Sequence, residues 1–158
     1  MKGAIVPNLW FDTEAEEAAE FYTSLFPDSR IVNVSRYTDA GPRPAGEVMT
    51  VDFELNGQRF TAINGGPQFK FDEAVSFMVT VDDQEELDRY WDALTADGGE
   101  ESQCGWCKDR FGLSWQVVPK ALPRLLADPD RARAARAMEA MMKMGKIDVA
   151  ELEKAAAG

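Results

Sequence analysis

The fold is decided by one stretch of the sequence, NGGPQFKFDEAVSF, which occupies residues 64–77. A strand cannot continue through Gly65-Gly66-Pro67, because glycines weaken a strand and proline lacks the amide hydrogen that a sheet ladder needs. The segments on either side of this stretch follow the same order, which is a strand, an amphipathic helix and then further strands. The sequence therefore predicts two related modules, residues 1–64 and 74–119, joined by a linker at residues 65–73.

The first module is predicted to contain four strands and one helix. Apolar runs predict the strands, at residues 5–11, 31–37, 48–55 and 59–63. Thr13 and Glu16 have the spacing of a capping box at the start of the helix. The helix carries one apolar face, made by Ala18, Phe21, Tyr22 and Leu25. Asn56-Gly57 predicts a type I′ hairpin turn, because both central residues of that turn need a positive φ.

The second module is predicted to repeat this order. A strand at residues 75–81 leads to Asp82-Asp83, whose acidic side chains suit the start of a helix. The apolar face of this helix is formed by Leu87, Tyr90, Trp91 and Leu94. Further strands end near residue 118, and Asp128-Pro129-Asp130 then begins another helix. Its apolar side is made by Met138, Met141, Met142 and Met144 with Ala134 and Ala135. The sequence therefore predicts an α+β fold of two tandem βαβββ modules in residues 1–119, followed by a C-terminal helical extension at residues 120–158.

Composition excludes several classes of function. The formal net charge is -11, so the surface repels phosphate backbones and we expect no nucleic-acid partner. No apolar run approaches the roughly 18 residues of a membrane span, so we expect no membrane partner. The first residues lead directly into a strand without an apolar leader, which favours a cytoplasmic location. Histidine is absent, which removes imidazole from catalysis and from metal ligation.

Several short motifs carry a resemblance to a known family. They are Leu9-Trp10-Phe11-Asp12, Phe21-Tyr22, Leu25-Phe26-Pro27, Asn64-Gly65-Gly66-Pro67, Cys104-Gly105-Trp106 and Gly112-Leu113-Ser114-Trp115-Gln116. Together they resemble the PhnB-like family, which often carries the label 3-demethylubiquinone-9 3-methyltransferase. This family is similar to the vicinal oxygen chelate superfamily of glyoxalase I, extradiol dioxygenases and bleomycin-resistance proteins. The resemblance implies tandem βαβββ modules and a homodimer, for which the methionine-lined helix and the strand edges offer a seam.

The resemblance also implies where a metal would bind. Superfamily members that bind metal offer four ligands on the concave sheet face, and these positions fall here at Val6 or Pro7, near Asn64, at Ser76 and at Gln116. None of these residues supplies an imidazole or a carboxylate, and neutral donors make a poor site for a divalent transition metal. We therefore expect no metal and no cofactor.

Methyl transfer from S-adenosylmethionine normally needs a glycine-rich loop between a strand and a helix. The stretch at residues 64–67 leads through the linker to a strand, and the stretch at residues 97–100 leaves a helix instead of opening one. Neither stretch has the required geometry, so the sequence does not support the family label.

The leading functional hypothesis is metal-free binding of a small molecule in a cavity between the two modules. The predicted contacts are Asn64, Ser76, Gln116, Asn8 and Trp10, with Met78 and Ser114 sharing the wall. Amides and hydroxyls among aromatic walls suit a neutral or weakly polar ligand. Two alternatives stay open: an enzyme that acts on an aromatic or quinone-like metabolite, and a structural or regulatory protein whose polar residues satisfy one another.

The segment Cys104-Gly-Trp-Cys107 has the spacing of a redox or zinc motif. A redox pair needs its attacking thiol near a helix N-terminus, whereas this segment precedes a turn and a strand. A zinc site needs two further soft ligands, which two subunits would have to pool. The third interpretation is structural, with one thiol in the core and one near a strand end in a reducing cytoplasm.

Overall fold

The structure is a computed structural model that describes residues 3–158. The chain divides into two compact units at the boundary between Lys70 and Phe71. Each unit contains one four-stranded sheet with a helix packed on it, and the second unit ends in three further helices. The predicted α+β fold of two tandem modules with a helical C-terminal end is therefore confirmed, while the limits drawn for modules, linker and extension stay predictions. No helix within residues 3–158 is long and apolar enough to cross a membrane.

The first unit contains four strands and one helix. They are β1 (Asn8–Phe11), α1 (Ala15–Leu25), β2 (Arg30–Arg36), β3 (Val48–Leu55) and β4 (Gln58–Asn64). The sheet order is β1-β4-β3-β2, with β1 parallel to β4 and the other neighbours antiparallel. At the turn between β3 and β4, Asn56 has a φ of 49° and Gly57 a φ of 82°, which confirms the predicted hairpin.

Alternate residues of this sheet pack against α1. The buried sheet residues are Leu9, Phe11, Val51, Phe53, Leu55, Phe60 and Ala62. The rings of Phe53 and Phe60 stack with centroids 5.4 Å apart, and Tyr22 of α1 lies on Phe53 at 6.2 Å. The helix buries Ala15, Ala18, Ala19 and Tyr22, so its buried stripe is shifted from the predicted one. Phe21 and Leu25 are only half-buried, because the small alanines face the sheet instead.

The second unit contains four strands and four helices. They are β5 (Ser76–Val81), α2 (Gln84–Thr95), β6 (Glu100–Glu101), β7 (Trp106–Lys108), β8 (Ser114–Pro119), α3 (Ala121–Leu126), α4 (Arg131–Met141) and α5 (Val149–Ala157). The sheet order is β5-β8-β7-β6, with β5 parallel to β8. Asp83 caps α2 by accepting a hydrogen bond from the backbone amide of Glu86 at 2.9 Å. The predicted apolar face of α2 is confirmed, since Leu87, Tyr90, Trp91 and Leu94 are all buried.

The methionines of α4 do not form its buried face. Ala134 and Ala137 are buried, whereas Met138 is 40% exposed and Met142 is 63% exposed. The helices α4 and α5 pack against each other through small side chains, because these allow the two helix axes to approach closely. Asp130 caps α4 by accepting from the amide of Ala132 at 3.1 Å, so Asp128-Pro129 precedes the helix.

Polar side chains hold both ends of α5. The Gln84 amide nitrogen donates to the carbonyl of Ile147 at 3.0 Å, and its oxygen accepts from the amide of Val149 at 2.8 Å. Arg136 donates to the carbonyls of Ala155 at 3.1 Å and Ala156 at 2.7 Å. These bonds satisfy backbone groups that the ends of a helix otherwise leave unpaired.

Candidate functional site

Each sheet has one face against a helix and one face turned away from it, which we call the open face. Successive residues of a strand point to opposite faces, so the pairing register decides which side chains share the open face. In the first sheet, Phe11 and Ala62 point toward α1, and in the second sheet Val81 and Val117 point toward α2. In each strand, the residues that alternate with these helix-facing ones point to the open face.

Two neighbouring rows of side chains on the open face of the second sheet contain the predicted residues. The cross-strand partners in the first row are Met78, Gln116 and Trp106, and those in the second row are Ser76, Ser114 and Lys108. The Gln116 amide nitrogen donates to the Ser76 hydroxyl oxygen at 2.9 Å and thereby links the rows. The structure therefore brings together the predicted residues Ser76 and Gln116, with Met78 and Ser114 beside them.

Residues 71–75, which we call the strap, cover the second row. The Ser114 hydroxyl donates to the carbonyl of Asp72 at 3.4 Å, and the Lys108 ammonium pairs with the Glu73 carboxylate. This hydrogen-bonded pair lowers the pKa of Glu73 and raises the pKa of Lys108. The first row has no such cover from the strap, and Met78 is 58% exposed. The first row is therefore the part of this face that a ligand can reach.

The open face of the first sheet is also polar. Its rows contain Trp10, Ile63, Thr50 and Ser35, and then Asn8, Thr61 and Asp52. Thr61 donates to the Asp52 carboxylate at 2.7 Å, and the hydroxyls of Ser35 and Thr50 share a hydrogen bond. Asn8 is exposed and donates to the carbonyl of Val6 at 3.0 Å. These residues therefore bond mostly to one another or locally.

Trp10 fixes the segment that follows β4. Its indole nitrogen donates to the carbonyl of Gly66 at 2.9 Å, and its ring meets Phe69 edge-on with centroids 4.9 Å apart. A Cβ atom added at Gly65 would lie 2.2 Å from the ring of Trp10. Glycine is therefore required at this position so that the backbone can approach the ring.

Asn64 lies on the helix side of the first sheet, apart from Asn8 and Trp10. Its side-chain oxygen accepts from the amide of Ala15 at 2.8 Å, and its side-chain nitrogen donates to the carbonyl of Val48 at 3.1 Å. Asn64 is 6% exposed and thus caps α1 from inside the protein. The predicted Thr13 cap is wrong, because α1 begins after Glu14 without any side-chain cap from its own segment.

The two cysteines are free thiols in different surroundings. Cys107 is buried on the helix side of β7, and burial, followed by the charges of Asp109 and Glu101, raises its pKa to about 12. An attacking thiol of a redox pair requires the opposite shift. Cys104 is half-buried in a turn, with a φ of 57°, and its amide donates to the carbonyl of Met144 at 2.8 Å.

Asp109, which follows β7, organises the turn into β8. One carboxylate oxygen accepts from the amides of Phe111 at 2.9 Å and Leu113 at 3.1 Å, and the other accepts from the Trp115 indole at 2.9 Å. Asp109 is almost fully buried. The Asp109 carboxylate therefore stabilises the turn and fixes the orientation of a core tryptophan.

The donor chemistry of the open faces does not fit a divalent transition metal. No group of three or more cysteines and carboxylates within residues 3–158 is placed to hold an ion. The open face of the second sheet offers an amide, hydroxyls, a thioether and an indole, which are neutral and weak ligands for such a metal, and the Lys108 ammonium, which repels a cation.

The strand-to-helix junctions do not fit S-adenosylmethionine either. The three junctions, at residues 12–14, 82–83 and 120, contain no glycine that would let a backbone approach the methyl donor.

The chain is similar to one protein family and to several solved structures. Residues 3–118 match a family model described as 3-demethylubiquinone-9 3-methyltransferase. A solved PhnB protein from Bacillus cereus is 38% identical with a TM-score of 0.66, and the match covers 73% of this chain and 98% of that chain. A protein from Pseudomonas aeruginosa is 24% identical with a TM-score of 0.59, and the match covers 73% of this chain and 96% of that one.

A more distant solved structure shares the fold alone. The fosfomycin resistance protein FosX from Mesorhizobium loti is 15% identical with a TM-score of 0.58, and the match covers 81% of this chain and 99% of that chain. No curated protein matches the sequence. The family match ends at residue 118, so helices α3 to α5 lie beyond it.

Proposed function

The chain belongs to the PhnB-like family described as 3-demethylubiquinone-9 3-methyltransferase, within the vicinal oxygen chelate superfamily, and from this premise we propose that it binds a small, flat, weakly polar molecule without a metal. One observation carries the proposal. In the uncovered first row of the second sheet, Gln116 lies between Met78 and Trp106, and its side chain is hydrogen-bonded to Ser76 of the neighbouring row.

The chemistry of this row defines the class of ligand. The Gln116 nitrogen is engaged with Ser76, which leaves the Gln116 oxygen as an acceptor and the Ser76 hydroxyl as a donor. The Trp106 indole and the Met78 thioether offer apolar surface on either side, suited to a ring. A phenol, a catechol or a hydroxyquinone presents the matching donor and acceptor on one flat ring.

An enzyme that acts on an aromatic or quinone-like metabolite is the second candidate, favoured by the family description. Methyl transfer would require a donor site that no strand-to-helix junction in residues 3–158 supplies. The residues of the first row support the binding of an aromatic ring, which such an enzyme would also need.

The homodimer and the cytoplasmic location stay predictions. Light scattering of the purified chain tests the homodimer.

Titration of the full chain with catechol tests the proposal. We expect saturable shifts of the backbone amide signals of Ser76 and Gln116 and of the Trp106 indole signal in nitrogen–proton correlation spectra. Gln116→Leu should weaken binding about fivefold, which corresponds to one hydrogen bond of about 1 kcal/mol. Gln58→Leu, at the exposed hairpin turn, is the matched control and should leave the affinity unchanged.

Two results would contradict binding at this row. Phenol and a hydroxyquinone are titrated in the same way as catechol, and the absence of saturation with all three would favour the structural-protein alternative. Equal affinities for Gln116→Leu and Gln58→Leu would place any binding elsewhere. Formation of a methylated quinone in the presence of S-adenosylmethionine would instead establish the methyltransferase.

A further inference from the structure

The ion pair between Lys108 and Glu73 joins the strap to the open face of the second sheet. Lys108 is the cross-strand partner of Ser114, which is in turn the partner of Ser76. Ser76 accepts the hydrogen bond from Gln116 of the first row at 2.9 Å. This face of the sheet therefore already holds a carboxylate, one row away from the proposed ligand.

A small cavity lies beside the ion pair and reaches the first row. Its volume is about 120 Å³, and its lining includes Trp106 of the first row, Lys108 and Ser114 of the second row, and Glu73 of the strap. A water molecule takes about 30 Å³, so the cavity has room for roughly four atoms of that size. Side chains two residues apart in a strand are separated by about 7 Å, so a ring lying on Trp106 can place a substituent in this cavity.

The charges around Lys108 restrict what that substituent can be. Besides Glu73, the carboxylates of Asp72 and Glu100 act on Lys108. Glu101 also lines the cavity, but its carboxylate accepts a hydrogen bond from the tryptophan of α2 on the helix side. A further anion added to this group would be repelled, whereas an anion that replaces Glu73 leaves the number of charges on Lys108 unchanged.

The contacts that hold the strap are weak. The side chains of Glu73 and Lys108 are 64% and 31% exposed, and exposed ion pairs contribute little net stability. A second bond, from the Ser114 hydroxyl to the Asp72 carbonyl, is long at 3.4 Å. A ligand can therefore displace Glu73 without disrupting the sheet.

We propose that the ring bound in the first row carries a carboxylate, and that this carboxylate replaces Glu73 on Lys108. The ligand class is then a hydroxybenzoate, whose hydroxyl bonds to Gln116 and Ser76 while its carboxylate pairs with the Lys108 ammonium. Glu73 is an internal competitor for the acidic group, and Lys108 determines specificity. This inference rests on the proposed function, because it names the second substituent of the same ligand.

Titration of the full chain with 3-hydroxybenzoate and with 3-hydroxybenzamide tests the proposal, because these ligands share a ring and a hydroxyl but differ in charge. We expect the wild type to bind the benzoate at least about twofold more tightly than the benzamide. Glu73→Gln should strengthen benzoate binding by up to about fivefold, the limit for an exposed ion pair, and leave benzamide binding unchanged. Lys108→Met should bind both ligands equally. Lys120→Met is the matched control, since it removes another exposed ion pair, with Asp82, and should change neither affinity.

The pKa of Glu73 reports its displacement directly. It is measured in the wild type from the side-chain carboxyl carbon signal, so it needs no variant. Pairing with Lys108 lowers this pKa. Saturation with the benzoate should therefore raise the pKa toward its ordinary value, whereas saturation with the benzamide should leave it lowered.

Two results would overturn the proposal: equal affinities of the wild type for the two ligands, or a pKa of Glu73 that stays lowered in saturating benzoate. If the benzamide or catechol still saturates the signals of Ser76 and Gln116, the proposed function stands and this inference alone is lost. If none of the three ligands saturates them, both are lost.

Discussion

Replacing Asn64 by alanine should destabilise the first unit strongly. The substitution removes the acceptor for the Ala15 amide at 2.8 Å and the donor to the Val48 carbonyl at 3.1 Å. Loss of a helix cap costs about 0.5–2 kcal/mol, and a buried carbonyl left unpaired costs about 1–3 kcal/mol. Because Asn64 is 6% exposed, water does not readily replace either bond. We expect the free energy of unfolding to fall by about 2–4 kcal/mol.

Urea denaturation followed by circular dichroism measures this loss. With a slope of about 2 kcal/mol per molar urea, the midpoint should fall by about 1–2 M. Asn64→Asp keeps an acceptor for Ala15 but no donor for Val48, so its midpoint should lie between those of Asn64→Ala and the wild type. Hydrogen exchange at the Ala15 amide should be faster in Asn64→Ala and close to the wild-type rate in Asn64→Asp.

Asn8→Ala is the matched control in the same sheet. Asn8 is exposed and donates to the nearby carbonyl of Val6, so its replacement should change the free energy by less than about 0.5 kcal/mol. Equal midpoints for Asn8→Ala and Asn64→Ala would refute the assignment of Asn64 as an internal cap. A loss of catechol binding without loss of stability would instead identify Asn64 as a ligand contact.

Two further predictions concern Gly65 and Cys107. Gly65→Ala places a Cβ 2.2 Å from the Trp10 ring and should destabilise the protein by about 1–3 kcal/mol. The effect should shrink in a Trp10→Leu background, and strict additivity in a double-mutant cycle would contradict the clash. Burial raises the pKa of Cys107 to about 12, so iodoacetamide at pH 8 should alkylate Cys104 alone until the chain unfolds, as mass spectrometry would show. For the same reason the contribution of Cys107 to the free energy of unfolding should fall as the pH rises from about 9 toward 12, and equal labelling of both thiols in the native protein would contradict its burial.

Features that depend on neighbouring residues were predictable from the sequence. The Asn56-Gly57 turn and the Asp83 cap of α2 follow from local backbone chemistry, and the structure has both. The cap of α1 was not predictable in this way, because Asn64 reaches it from a strand that is distant in sequence. Within the chain, α4 packs through the small side chains of Ala134 and Ala137, whereas Met138 is exposed, so the use of the methionines as a seam between subunits stays a prediction.

Predicting the candidate site required the strand register, and a single sequence determines that register poorly. The pairing of Phe11 with Asn64 puts Asn64 on the helix side, although the sequence placed it beside Trp10. A shift of one residue in register moves a side chain to the opposite face. Trp106 and Lys108 were missed because β7 has only three residues, too few to show an alternating pattern.

The order of synthesis bears on how the first unit forms. β1 lies at the edge of its sheet and pairs only with β4, which leaves the ribosome about fifty residues later. At about 5–20 residues per second, that delay lasts several seconds, during which the opening strand has no partner. The same event delivers Asn64 to the start of α1. The nascent helix therefore acquires its cap only when the strand that completes the sheet is in place, which couples the two steps.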